Sequence, residues 1–160
     1  MHALLRIGDQ LGLLQRDTRG AMVIETAIVA PVLLLMSLGA FQVSSVVARQ
    51  SELDSAAAEG AAIAIASQPN TSAKRTALEQ VIETSTGLTG SNVVVSEAYR
   101  CNSSTVYVTS ASSCTSGVIS NFLKIYLEDT YTPTWVEFGV GSPITYRVTR
   151  YVQYSQMDVP

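Results

Sequence analysis

Histidine is almost missing from this sequence: the single one in 160 residues is His2. A Ser/His/Asp relay needs an imidazole beside its nucleophile, so the remainder of the chain cannot assemble one. Mixed Cys/His metal sites fail for the same reason. Cysteine is nearly as scarce. Cys101 and Cys114 are too few for a four-thiolate zinc site, and a single disulfide between them is the economical reading, which requires an oxidising compartment. Clustered positive charge is lacking too. Lys74, Arg75, Arg100, Lys124, Arg147 and Arg150 are scattered among acids and the formal net charge is -3, so nothing marks a nucleic-acid surface. The fourth absence carries the most information: residues 26–48 contain no Asp, Glu, Lys or Arg.

As a helix, that uncharged run spans about 35 Å, enough for the hydrocarbon core of a bilayer. The pattern predicts a transmembrane helix. Before it, residues 1–20 place Arg6, Arg16 and Arg19 against Asp9 and Asp17, with leucines between. A secretory signal puts its apolar stretch ahead of the cleavage site, whereas here the apolar stretch follows Gly20. The leader arginines favour an N-terminus in the cytoplasm and a C-terminal part across the membrane. Pro31 and Gly39 interrupt the apolar run, as a kink or packing point or as residues a membrane helix simply tolerates.

Residues 49–67 continue the helix, rich in alanine and free of proline. Leu53, Ala57, Gly60, Ala61 and Ala64 recur at spacings of three and four, a narrow stripe of small residues for close packing. A helix over 21–67 would be about 70 Å long, more than a bilayer needs. The surplus calls for a protein surface, either this chain's own head or a neighbouring copy. Gln68-Pro69-Asn70-Thr71-Ser72 ends it and offers N-caps for a second helix over 73–85, with Ala77, Leu78, Val81 and Ile82 on the apolar face and Gly87 and Gly90 as terminators.

Beyond Asn92 the period changes to two. Residues 93–100, 122–128 and 144–155 read as three antiparallel strands, with 105–110 as a fourth candidate. A tight hairpin of 93–100 with 105–110 would leave Cys114 too far from Cys101 for a disulfide, so the two features exclude each other. The disulfide is preferred, with 102–113 as the loop it closes, worth about 3 kcal/mol in the chain-entropy model. Trp135 and Phe138 are expected to cover the open face of the sheet. The architecture is therefore α+β: a long N-terminal transmembrane helix running into a small head, with one helix on a three- or four-stranded antiparallel sheet.

Glu25 stands at the mouth of the apolar run, where a carboxylate near lipid calls for a partner. In the first turn of a helix it also suits the macrodipole. A cut after Gly20 would make Ala21 a new N-terminus and place its ammonium one helical turn from Glu25.

Arg19-Gly20, Glu25, the run Ala27-Ile28-Val29-Ala30-Pro31-Val32-Leu33-Leu34-Leu35, and Ala56 with Glu59-Gly60-Ala61 together resemble the TadE-like pseudopilins of the tight-adherence, or Flp type IVb, pilus system. The likeness covers residues 19 to about 67. It implies cleavage by a membrane prepilin peptidase between Gly20 and Ala21, and a role for Glu25 in processing and assembly. It implies a bacterial inner-membrane location with the head in the periplasm, or incorporation into an extracellular pilus. Other pilins or pseudopilins and the inner-membrane assembly machinery would be partners, with no cofactor and no enzymatic activity. Residues 1–20 would then be leader, 21–67 the transmembrane and assembly helix, and 68–160 the head. The alternative is an uncleaved, membrane-tethered periplasmic binding module.

Overall fold

The computed structural model describes residues 18–139 and 141–159. The expected leader lies outside the described residues up to position 17. Two compact units follow each other along the chain, the first ending at Ser44 and the second starting at Ser45. Helix α1, Thr18–Ser67, contributes to both.

In the first unit α1 is uninterrupted through Pro31. Its large apolar side chains lie on all sides and stay exposed; Leu34 and Phe41 are 65% and 67% exposed. Two of its hydroxyls are satisfied within the helix: Thr26 Oγ1 donates to the Met22 carbonyl and Ser37 Oγ to the Leu33 carbonyl, each at 2.8 Å. Neither of these two hydroxyls needs water, which suits an apolar surrounding.

The second unit builds its own core. Helix α1 ends where Gln68 takes a left-handed φ of 44° and Pro69 follows, with Lys74 Nζ donating to the Ser67 carbonyl at 3.4 Å. Helix α2, Ser72–Thr86, starts at Thr71, whose side chain accepts from the Lys74 amide, and stops at Gly87 in the left-handed region, whose N–H donates to the Glu83 carbonyl. Its buried residues are Leu78, Ile82 and Thr86. The expected apolar face is thus corrected: Ala77 and Val81 turn outward, because Arg75 and Glu79 are drawn toward the sheet by the bonds described below.

Strands β1 (Val93–Cys101), β2 (Gly117–Tyr131) and β3 (Ile144–Val159) form one antiparallel sheet in the order β1-β2-β3. Register places Val93 against Leu127, Val95 against Ile125, Leu127 against Val148, and Leu123 against Val152. These residues make one apolar face, and the stripe Leu53, Ala57, Ala61 and Ala64 of α1 closes over it together with Leu78 and Ile82 of α2. The small-residue stripe therefore packs on this chain's own head. Gly60 shows why it is small: a Cβ there would stand 2.8 Å from Ile82 Cδ1 and 3.3 Å from Ile125 Cδ1. Two helices and a strand come so close there that an added methyl would have to displace the end of the Ile82 side chain.

The sheet extends further than alternation alone indicates. Strand β2 begins at Gly117 rather than near 122, because pairing continues through the polar Ser120 and Asn121, and a bulge between Asn121 and Phe122 resets the register with β3. Residues 105–110 do not form a fourth strand. They contribute one antiparallel bridge, Tyr99 with Val108, in which each amide donates to the other's carbonyl at 2.8 Å. Cys101 and Cys114 are joined by a disulfide, Cα to Cα 5.4 Å. The exclusion between hairpin and disulfide thus holds for a full ladder but not for a single bridge.

Candidate functional site

The candidate site is the N-terminal helix and what fixes it. The peptide bond between Gly20 and Ala21 lies in helical backbone, and Gly20 is exposed with no atom near the position a Cβ would take. Glu25 is exposed on the following turn. Pro31 removes one helical N–H without ending the helix, and nothing approaches Gly39. These residues share one helix, but the structure gathers no side-chain cluster around Glu25 among the described residues. A carboxylate presented this way is suited to pairing with a group from outside the helix.

The residue that ends the uncharged run does more than mark its limit. Arg49 Nε binds Asp129 Oδ2 of β2 at 2.6 Å, Nη1 binds Glu52 at 2.8 Å, and Nη2 donates to the Thr86 carbonyl at 3.1 Å. One guanidinium therefore joins α1, the middle strand and the last turn of α2. The fork geometry of arginine makes this possible where lysine would reach one partner. The arginine and aspartate side chains are each about one-quarter exposed, so the pair is more than a surface contact. Sequence reasoning missed it. Arg49 is visible as the first charge after residue 48, but its partner stands 80 positions away.

A second set of contacts fastens α2 along β1. Glu79 accepts the Val95 amide at 2.8 Å, and Arg75 Nη1 binds Glu97 Oε1 at 2.5 Å. Tyr99 Oη donates to the other oxygen of Glu97 at 2.7 Å. Burial and that hydrogen bond push the Tyr99 phenol up to about 12. The free edge of β1 is thereby covered by the polar face of a helix.

On the sheet face away from α1, the disulfide-closed loop lays Tyr107 flat on Tyr151, centroids 3.9 Å apart, and edge-on to Phe122 at 5.1 Å, while the Arg100 guanidinium sits 5.2 Å from the Phe122 centroid. Tyr107 thus covers this face. Trp135 is half-buried beside Gly141, in a short turn before β3. Asn102, at φ 52°, uses its carboxamide to bind the Val118 amide and the Ser116 carbonyl. Among the described residues no group of three or more His, Cys, Asp or Glu could hold a metal ion.

Comparison with known proteins bears on the helix. Residues 20–62 match the family model described as TadE-like protein. This segment is TadE-like. The match begins at Gly20, takes in Glu25, Pro31 and Gly39, and runs through Arg49 to Ala62, so that it includes Leu53, Ala57, Gly60 and Ala61 of the packed stripe. No curated protein and no solved structure matches the chain. Helix α1, which carries this segment, is long and apolar enough to cross a membrane, compatible with a single-pass protein.

Proposed function

We propose that the chain is a minor pseudopilin of the Flp/tight-adherence system: an inner-membrane precursor cut by a prepilin peptidase between Gly20 and Ala21. Its leader would stay in the cytoplasm, its membrane segment would be held by residues 26–48, and the head from residue 68 would lie in the periplasm. Glu25 would pair with the new ammonium of Ala21, in its own chain or a neighbour, and fix the axial offset of packed helices. The role is structural, as substrate of a peptidase and subunit of an assembly, with other pilins or pseudopilins as partners. The observation that carries this reading is the TadE-like match on the helix that presents Glu25 one turn after Ala21. The arginines at positions 6, 16 and 19 support the orientation.

Intact mass of the membrane-extracted protein tests the cut: a form beginning at Ala21 is expected, and a form still carrying Met1 would sink it. One observation favours a second reading, an uncleaved tethered binding module. Helix α1 already runs from Thr18, so a peptidase would have to unwind a turn to reach the bond. Under that reading the leader persists and the protein is absent from sheared pili.

A further inference from the structure

The two edges of the sheet are treated differently. Helix α2 covers the β1 edge through Glu79, whereas among the described residues β3 pairs with β2 alone. Beside the first residues of β3, an open groove of about 750 Å³ runs along the flank of α1, lined by Val46, Val47, Gln50, Asp54, Ile144 and Tyr146 among others. Helix α1 and the start of β3 wall this groove from two sides. Tyr146, on this groove, is 5% exposed and its hydroxyl has no hydrogen-bond partner among the described residues. A buried hydroxyl left unpaired is costly and calls for a group to complete it.

Further along β3, Arg150 stands opposite Ile125, on the α1 side of the sheet, and is exposed. An inward-side charge at a strand edge discourages indiscriminate pairing and selects a partner with an acid there. We infer that the β3 edge and this groove receive an extended strand from a different polypeptide, with apolar residues at alternate positions facing α1 and a carboxylate facing Arg150.

A second copy fits poorly. Antiparallel pairing of two β3 strands needs a two-fold axis normal to the sheet, which reverses any helix packed on it. Strand β3 of a second copy carries one acid, Asp158, which pairs with Val118 near the far end of the strand, so no carboxylate would reach Arg150 while that copy also covered the groove beside Ile144 and Tyr146. Parallel pairing with the faces exchanged would turn Thr145, Arg147 and Thr149 into a groove walled by valines.

The test places a photo-crosslinking residue at Thr145 of the full chain in its native membranes, with Val94 on the other edge strand as control. Crosslinked peptides from Thr145 should come from a non-membrane segment of another protein. Arg150→Glu should cut the yield about tenfold through like-charge repulsion with no change in the melting temperature of the purified chain. Tyr146→Phe should also lower the yield while leaving the free chain at least as stable as before, since it removes an unpaired buried hydroxyl. Peptides from a second copy, peptides from an apolar membrane helix, absence of crosslinks, or indifference to Arg150→Glu would each overturn the inference. Retention of Met1 would remove the processing reading and leave these results standing.

Discussion

The stretch of α1 up to Ser44 and the unit that begins at Ser45 satisfy the same apolar chemistry in opposite ways. In the first, apolar side chains cover the whole circumference and none of the large ones is shielded by protein, as Leu34 and Phe41 show. In the second, a stripe one or two residues wide, Leu53 to Ala64, is sealed beneath a sheet, and Glu52, Asp54 and Glu59 take the other sides. A protein core needs one apolar face, whereas lipid needs all of them. The change falls at Arg49, whose contacts with Asp129 and the Thr86 carbonyl join α1 to the head.

That contrast breaks most sharply in the core. Leu123 is fully buried on the middle strand and touches the helix side of the sheet. Leu123→Ala is expected to destabilise the second unit by about 2–5 kcal/mol, read by thermal or urea unfolding followed through tyrosine and tryptophan signals. Membrane association of the full chain should not change. If the mutant also left the membrane fraction, the two units would not be energetically separate.

The converse change is expected to be somewhat smaller. Leu34→Arg puts a charge in the middle of the uncharged run at a cost of about 2.5–3.5 kcal/mol for insertion. Carbonate extraction should release the variant, while the unfolding midpoint of the Ser45 unit stays in place. An undiminished membrane fraction would mean that residues 26–48 are covered by protein instead of lipid.

Much of this division is written in the sequence, and what is not has a common cause. The uncharged run, the stripe with Gly60, the caps of α2 and the alternation of β1 are local patterns, legible because helix and strand periods repeat within a few residues. The TadE-like segment is legible for the same reason, being one helix. Long-range partners are not. Arg49 with Asp129, Glu79 with the Val95 amide, and Tyr107 on Tyr151 link residues whose spacing follows no period. The early start of β2 is hidden because Ser120 and Asn121 are polar yet buried, with Asn121 Nδ2 bonded to Ser155 and Ser120 accepting from Gln156. Glu25 stands at the other extreme: its position is plain in the sequence, and no side-chain cluster gathers around it among the described residues to declare its role.

The smallest effect separates the units by pH. The first unit has no tyrosine after Thr18, whereas the second holds Tyr99, Tyr146 and Tyr154, all with phenols raised by burial. For Tyr99 the ordinary value of 10.0 rises to about 12 in the folded chain. The folded state thus holds the proton more tightly than the unfolded one. The associated stability is complete below pH 10.0 and is lost as pH rises through about 12. Near neutral pH, Tyr99→Phe should cost only the hydrogen bond to Glu97, about 0.5–1.5 kcal/mol. Across the alkaline window the wild type should lose stability more steeply than Tyr99→Phe, so the difference between them narrows. Membrane association, depending on residues without a titrating group in that range, should stay flat. Parallel alkaline slopes for both proteins would show that the Tyr99 phenol is not held by Glu97 in solution.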